Sequence, residues 1–223
     1  MRFVAFETSS EWCSVALYID GEMRALESRA GNRHSELALP MLERLLADAG
    51  LTPAALDAVA YGAGPGSFTG LRIACGLAQG LAVARALPVY GVSSLAAMAE
   101  ESGAQHVLAC IDARMREVYY AALERTPGGW RERIGPRCVA PQAVAAPPGD
   151  DWIGCGNGFA VYGNFGLKIV LPTVHPTALA VAQLAAPRLA AGEGVDAALA
   201  LPVYLRDKVA FTRQELAAKE NGR

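Results

Sequence analysis

The run Gly62-Ala63-Gly64-Pro65-Gly66-Ser67-Phe68-Thr69-Gly70-Leu71-Arg72 constrains this chain more than any other stretch. It follows an apolar strand-like segment at 57–61 and leads into a small-residue helix expected from about Thr69 to Ala86. Glycines admit positive φ and bring backbone amides close to an anion, and a helix start adds unpaired N–H groups and a positive dipole end. The run therefore has the form of a phosphate cradle, but the chemistry of familiar cradles is missing. No Gly-Lys-Ser/Thr is present, which excludes a Walker loop. Pro65 stands two residues before Ser67 and no histidine lies nearby, which excludes a G-x-S-x-G nucleophile elbow. Binding or packing is implied here, not catalysis.

The 223 residues, 52% of them hydrophobic, suffice for one large core or two small ones. Twenty Lys and Arg against 22 Asp and Glu leave a net charge of −2. That balance gives no general electrostatic footprint for nucleic acid, so any role on RNA needs a partner to hold most of the backbone. Cys13, Cys75, Cys110, Cys138 and Cys155 are odd in number and widely spaced, with no Cys-x-x-Cys. They encode neither a disulfide framework nor a zinc site, and buried free thiols in a reducing compartment are expected. No window reaches the apolar length of a membrane span, and Met1-Arg2 runs straight into a strand. The expectation is a soluble cytoplasmic protein with no membrane partner.

Strands are expected at 2–7, 13–19 and 22–28, with Asp20-Gly21 as the hairpin turn between the last two. A helix from about Ser35 to Ala49 follows, then the strand at 57–61, the glycine loop and its helix, a strand at 89–92 and a helix near 94–101. From His106 the pattern restarts. Residues 106–111 and 117–123 read as strands around the turn Asp112-Ala113-Arg114-Met115, echoing the opening hairpin. A turn at Pro127-Gly128-Gly129, an irregular Ala-Pro stretch at 140–148 and a strand near 151–155 come next. Residues 177–191 form an alanine-rich helix interrupted by Pro187, and Tyr204 to Arg223 reads as a charged, tail-like or loosely helical end. Two α/β lobes of unequal completeness fit this order.

Three motifs carry a family resemblance: Phe6-Glu7-Thr8-Ser9-Ser10 at the end of the first strand, Gly64 to Ile73, and Asp112-Ala113-Arg114-Met115-Arg116-Glu117-Val118-Tyr119. Together with Tyr204-Leu205-Arg206 they resemble the TsaB (YeaZ) family over most of the chain, with 124–200 adding little that is specific. The resemblance implies an actin-like/Hsp70-like ATPase (ASKHA) fold of class α/β, with two RNase H-like lobes of mixed sheets. The first lobe is expected at 1–102, a less complete second lobe at 103–205, and a charged tail at 206–223. It also implies membership of the bacterial machinery that makes N6-threonylcarbamoyladenosine at position 37 of tRNAs reading ANN codons.

The catalytic relative in that machinery, the TsaD-type transferase, resembles this chain through the same glycine loop but carries a metal-binding His-x-x-x-His on the next helix. Ser94 and Met98 stand in those places here, and neither is a credible substitute ligand. His34, His106 and His175 are isolated from one another, so the resemblance implies a subunit with no metal and no catalytic residue of its own. Thr8, Ser9, Ser10, Gly64, Gly66 and Ser67 mark where a phosphate-loop remnant would bind ATP or ADP weakly. Their other reading is a tight turn whose hydroxyls satisfy local backbone groups. Glu7 and Asp112 fall at equivalent points of the two lobes, where they would face one another across a cleft as nuclease carboxylates do, but no third acid accompanies them. Arg114 and Arg116 read as partners for phosphate or carboxylate, or as a solvated hairpin flank.

Gly76 and Gly80, four residues apart among alanines, lower one helix surface enough for another helix to approach. Leu37, Met41 and Leu45 widen the apolar arc of the earlier helix beyond what one sheet contact needs, and are expected to be exposed in the isolated chain. In the family these two helices pair with those of a second copy or of the TsaD-type paralogue. A TsaE-type ATPase joins through the complex, and tRNA is met only indirectly. The reading is a non-catalytic subunit that binds and activates the transferase. A self-standing actin-like ATPase and an RNase H-like nuclease remain the alternatives. A metalloprotease fails for want of His-Glu-x-x-His.

Overall fold

The opening strands form because their apolar runs are covered on both faces and a two-residue turn closes the second hairpin. β1 (Arg2–Glu7), β2 (Trp12–Ile19) and β3 (Glu22–Arg29) make an antiparallel meander. Asp20 and Gly21 both take positive φ at the β2–β3 turn, as a primed hairpin turn requires. In β1, Val4 and Phe6 enter one core while Phe3 and Ala5 enter another, so both faces of the sheet are covered. β4 (Ala58–Gly64) and β5 (Val89–Ser93) add in parallel on the far side of β1, giving the order β3-β2-β1-β4-β5. The structure is a computed structural model, and it describes residues 1–206.

The second sheet repeats the first strand for strand. β6 (His106–Asp112), β7 (Val118–Thr126) and β8 (Gly129–Val139) are the meander, and β9 (Ile153–Cys155) and β10 (Ile169–Leu171) the parallel pair. The order β10-β9-β6-β7-β8 mirrors the first sheet's list. The lesser completeness lies in lengths and helices. β9 and β10 have three residues each. Where the first lobe has α1 (His34–Asp48) and α2 (Phe68–Val83), the second has a single 3-10 turn and the five-residue α4 (Gly158–Tyr162).

Two helices are exchanged between the lobes. α3 (Ser94–Ser102) leaves the first sheet but buries Leu95, Met98 and Ala99 with Val107, Ala109 and Leu123 of the second. α5 (Ala178–Ala190) leaves the second sheet and buries Ala178, Val181 and Ala185 against Phe3, Ala5 and Ala60 of the first. Its start is tied there by Ala178 N donating to Ser14 Oγ at 3.0 Å. Packing thus divides the chain differently from the expected boundary at 102/103, because α5 belongs to the first sheet's core.

Residues 195–206 also return to the first lobe, as an extended strap. Val195 bridges Val89, the Ala200 carbonyl accepts from Gln79 Nε2 at 2.9 Å, Tyr61 donates to Leu201 O at 3.0 Å, and Val203 N donates to Ala63 O at 2.7 Å. Tyr204-Leu205-Arg206 is therefore packed chain, not tail or loose helix; the remainder of the expected tail, 207–223, lies outside the described residues. Pro187 does not interrupt α5. It sits in the last turn, and Ala191 N still donates to its carbonyl at 3.1 Å.

Candidate functional site

The glycine loop closes onto the loop that follows β1. Thr8 Oγ1 donates to Gly70 O at 2.7 Å, and Ser67 N donates to Ser9 O at 2.8 Å. A Cβ on Gly70 would lie 1.9 Å from Thr8 O, and one on Gly66 would lie 2.6 Å from Ser9 Cβ. These glycines are needed because backbone fills the space a side chain would take. Gly64 is a further case, with φ +112° and Val203 O at 2.9 Å from its notional Cβ. Ser10 Oγ accepts from Trp12 N at 3.2 Å, and Ser67 caps α2 by accepting from Gly70 N. Ser9 Oγ is buried and has no hydrogen-bond partner among the described residues.

This arrangement does not fit a nucleotide phosphate. Thr8, Ser9, Gly66 and Ser67 are brought together, but against each other. A cavity beside the loop, lined by Pro65, Gly66, Phe68, Tyr119, Tyr204 and Arg206, is about 20 Å³, which is room for one water. The loop acts as a packing motif that seats the strap on the start of α2. There Phe68 packs in a tilted pair with Tyr204 at 5.4 Å, Arg72 lies 3.8 Å above the Phe68 ring, and Arg72 Nε donates to the Tyr204 hydroxyl at 3.0 Å.

Glu7 is fully buried at the end of β1. Its carboxylate accepts from Ser9 N at 2.6 Å and from Ser94 Oγ at 3.1 Å, and Gly62 makes room for it, since a Cβ there would sit 1.9 Å from Glu7 Oε2. Burial pushes its pKa up, an effect that hydrogen bonds from Ser9 and Ser94 oppose. Ser94 and Met98, one turn apart on α3, are 0% and 1% exposed. Ser94 serves Glu7, and Met98 reaches the Gly156 backbone, where a Cβ would lie 2.1 Å from its Cε. The positions at which the transferase would carry histidines are thus closed core positions.

Asp112 ends β6 as Glu7 ends β1, but its surroundings differ. Its N donates to Asn157 Oδ1 at 2.9 Å, and its carboxylate accepts from Tyr162 at 3.1 Å and Arg114 N at 2.9 Å. Glu7 and Asp112 share no hydrogen-bond partner among the described residues, and each is held by its own lobe's set of donors or by Ser94. Among the described residues no three of His, Cys, Asp and Glu gather as a metal site. His34 bonds Ser10 O at 2.9 Å, His106 pairs with Asp151 at 2.5 Å, and His175 bonds Glu27 at 3.1 Å and stacks on Trp12 at 4.7 Å. Each histidine has a local structural partner. The Gly154-Cys155-Gly156-Asn157-Gly158 run is also closely packed, but on β6 itself: a Cβ on Gly156 would meet Cys110 O at 2.3 Å.

The turn after β6 is the strained part of the molecule. Arg114, Met115 and Arg116 take φ of 62°, 55° and 59°, three left-handed residues in succession without a glycine. Such a residue costs about 1–2 kcal/mol, whereas one neutral hydrogen bond contributes about 0.5–1.5 kcal/mol. Several anchors are therefore needed. Asp112 holds Arg114 N, Ala113 N donates to Glu117 O at 3.0 Å, and Glu117 N donates to Arg114 O at 3.0 Å. Arg206, from the end of the strap, pairs with the Glu117 carboxylate and donates to Arg114 O at 3.4 Å. Spacing does not reveal this role of Arg206; the one signal for it in the sequence is the Tyr204-Leu205-Arg206 motif.

On the outer face of the first lobe, Gly76 and Gly80 are exposed on α2, and no atom lies within 4 Å of a Cβ built on either. Leu37 and Met41 of α1 are half-buried beside the core. Leu45 departs from expectation, being 3% exposed, while Leu39 is 44% exposed. The buried arc of α1 runs through His34, Ala38, Leu42, Leu45 and Leu46. That arc turns Leu45 inward and leaves Leu39 outside it. Leu45 is thus a core residue and leaves the candidate interface.

Two five-stranded mixed sheets of matching order, with exchanged helices between them, define the two-lobed actin-like (ASKHA) class. The family model described as "TsaD: tRNA N6-adenosine threonylcarbamoyltransferase" matches residues 28–212. The tRNA threonylcarbamoyladenosine biosynthesis protein TsaB of Escherichia coli K12 is 38% identical over 99% of this chain and 100% of its own length. Its namesake from Haemophilus influenzae is 36% identical over 96% and 97%. A solved structure of YeaZ from Pseudomonas aeruginosa is 40% identical, with a TM-score of 0.87 over 92% of this chain and 99% of that one. The chain belongs to the TsaB (YeaZ) family. Among the described residues no helix is long and apolar enough to cross a membrane.

Proposed function

We propose that this chain is a non-catalytic subunit in tRNA threonylcarbamoyladenosine biosynthesis, which binds and activates the TsaD-type transferase through the outer face of α1 and α2. The observation that carries the reading is the open surface at Gly76 and Gly80, where a partner helix can approach the backbone closely. Leu37 and Met41 flank it with half-buried apolar surface. The closed glycine loop and the Ser94/Met98 pair support a role without phosphate or metal chemistry in this chain.

Activation follows from differential binding. A partner that prefers one conformation of the transferase raises the population of that conformation by its difference in affinity. The same face on a second copy makes self-pairing a competitor, and the outcome is a difference between two docked states. The TsaE-type ATPase then joins through the transferase complex in the cytoplasm, and tRNA is contacted indirectly. The test is the affinity of Gly80→Arg for the purified transferase, by calorimetry. The open position lets the variant fold, and an unpaired buried charge at the contact is expected to weaken binding at least tenfold, about 1.4 kcal/mol. Unchanged affinity would move the interface elsewhere.

A further inference from the structure

We propose that Arg206 is a positioning residue, a clamp by which the strap from the first lobe holds the left-handed Arg114–Arg116 turn of the second. A backbone held in a sparsely populated region persists only where its surroundings over-determine it. On one side of the turn the anchor is local, since Asp112 accepts from Arg114 N at 2.9 Å and its carboxylate lies 3.2 Å from the Arg114 guanidinium. On the other side the anchor comes from about ninety residues on. Arg206 Nη2 donates to Arg114 O at 3.4 Å and pairs with Glu117, while Nη1 lies 3.6 Å from Met115 Sδ. The guanidinium thus touches three of the four residues from Arg114 to Glu117.

Two features separate a clamp from a chance surface ion pair. The Arg206 side chain is 14% exposed, and its Nε is buried with no hydrogen-bond partner among the described residues. The side chain leaves one donor unsatisfied while placing both terminal nitrogens on the turn. The strap that carries it is fixed immediately upstream, by Val203 N on Ala63 O and by Tyr204 on Phe68 and Arg72. Arg206 therefore reaches the turn from a rigid base, and the glycine loop, strap and turn form one connected unit. The planar fork is essential, because a lysine ammonium can pair with Glu117 without also spanning Arg114 O and Met115 Sδ.

The experiment is amide hydrogen exchange by mass spectrometry on the full chain and its Arg206→Ala, Arg206→Lys and Glu117→Gln variants. Ala113 N and Glu117 N donate within the turn and report on it directly. In Arg206→Ala their exchange is expected to accelerate by about tenfold or more, with β1 and β4 unchanged. Arg206→Lys should restore part of the protection, and Glu117→Gln should lose less than Arg206→Ala. Unchanged protection at Ala113 and Glu117 in Arg206→Ala overturns the clamp. So does acceleration spread evenly over both sheets, which would mark Arg206 as a general stabiliser. Glu117→Gln guards against a misfolded alanine variant: if it leaves the turn's exchange untouched, the clamp is likewise overturned.

Discussion

The loop after β1 and the turn after β6 leave equivalent strands of two sheets with the same order, yet they are treated in opposite ways. In the first lobe Thr8 and Ser9 are buried beneath the glycine loop, and the carboxylate before them has no access to solvent. In the second, the corresponding turn stands outward in a left-handed form, with the Arg114 side chain 85% exposed. One topology thus supplies a sealed junction on one side and a presented turn on the other. The difference comes from the glycine loops. The loop after β4 reaches back over Thr8 and Ser9, whereas the loop after β9 packs on Cys110, below the turn, and leaves the turn to be held by the strap.

The largest expected effect is at the seal. Gly70→Ala would drive a Cβ into Thr8 O, a backbone atom that cannot swing aside, and should cost about 3 kcal/mol or more in urea denaturation. Gly154→Ala, in β9 of the second lobe, meets the far end of the buried Phe159 ring at 2.4 Å, so that side chain must shift, and should cost less, about 1–3 kcal/mol. Equal losses would mean that the second lobe yields to an added Cβ no more readily than the first. Next comes α1, where Leu45→Ala should lose about 2–5 kcal/mol as a core cavity, against about 0.5 kcal/mol or less for exposed Leu39→Ala.

A smaller effect is linked to pH. Glu7 binds its proton more tightly in the folded chain than in the unfolded one, because burial raises its pKa. The sign follows: stability falls as pH rises from the ordinary carboxylate range through the folded pKa, where the buried group must ionise. Glu7→Gln should remove that fall and give a flatter curve of stability against pH, measured by denaturation from pH 4 upward. The smallest effect belongs to the open helix face. Gly76→Ala should stabilise the chain by about 1 kcal/mol or less through helix propensity, with no clash to offset it.

The same contrast explains what the sequence makes legible. The first meander is readable because Phe3 to Phe6 and Val15 to Leu17 are continuous apolar runs beside an Asp-Gly turn. β8 escapes the pattern because it is an edge strand, Gly129–Val139, carrying Arg131-Glu132-Arg133 in succession, then Gly135-Pro136, and irregular pairing to β7. α4 and β10, of five and three residues, are too short for any period to register. The glycine run announces a tight loop, but whether its amides face an anion or a neighbouring loop depends on Thr8 and Ser9, some 60 residues away. Leu45 is misplaced for a related reason. Apolar residues fill most of α1, and only the sheet decides which arc turns inward.

The most direct test of the account is tRNA modification in a purified mixture of TsaC-, TsaD- and TsaE-type proteins with ATP, threonine, bicarbonate and unmodified tRNA. It would be run without this chain, with it, with Gly80→Arg, and with the Glu7→Gln, Asp112→Asn double variant. The account predicts modified adenosine with the chain and with the double variant, and little or none without the chain or with Gly80→Arg. Equal modification in the absence of the chain, or its loss in the double variant alone, would contradict a docking subunit that contributes a surface and no carboxylate chemistry.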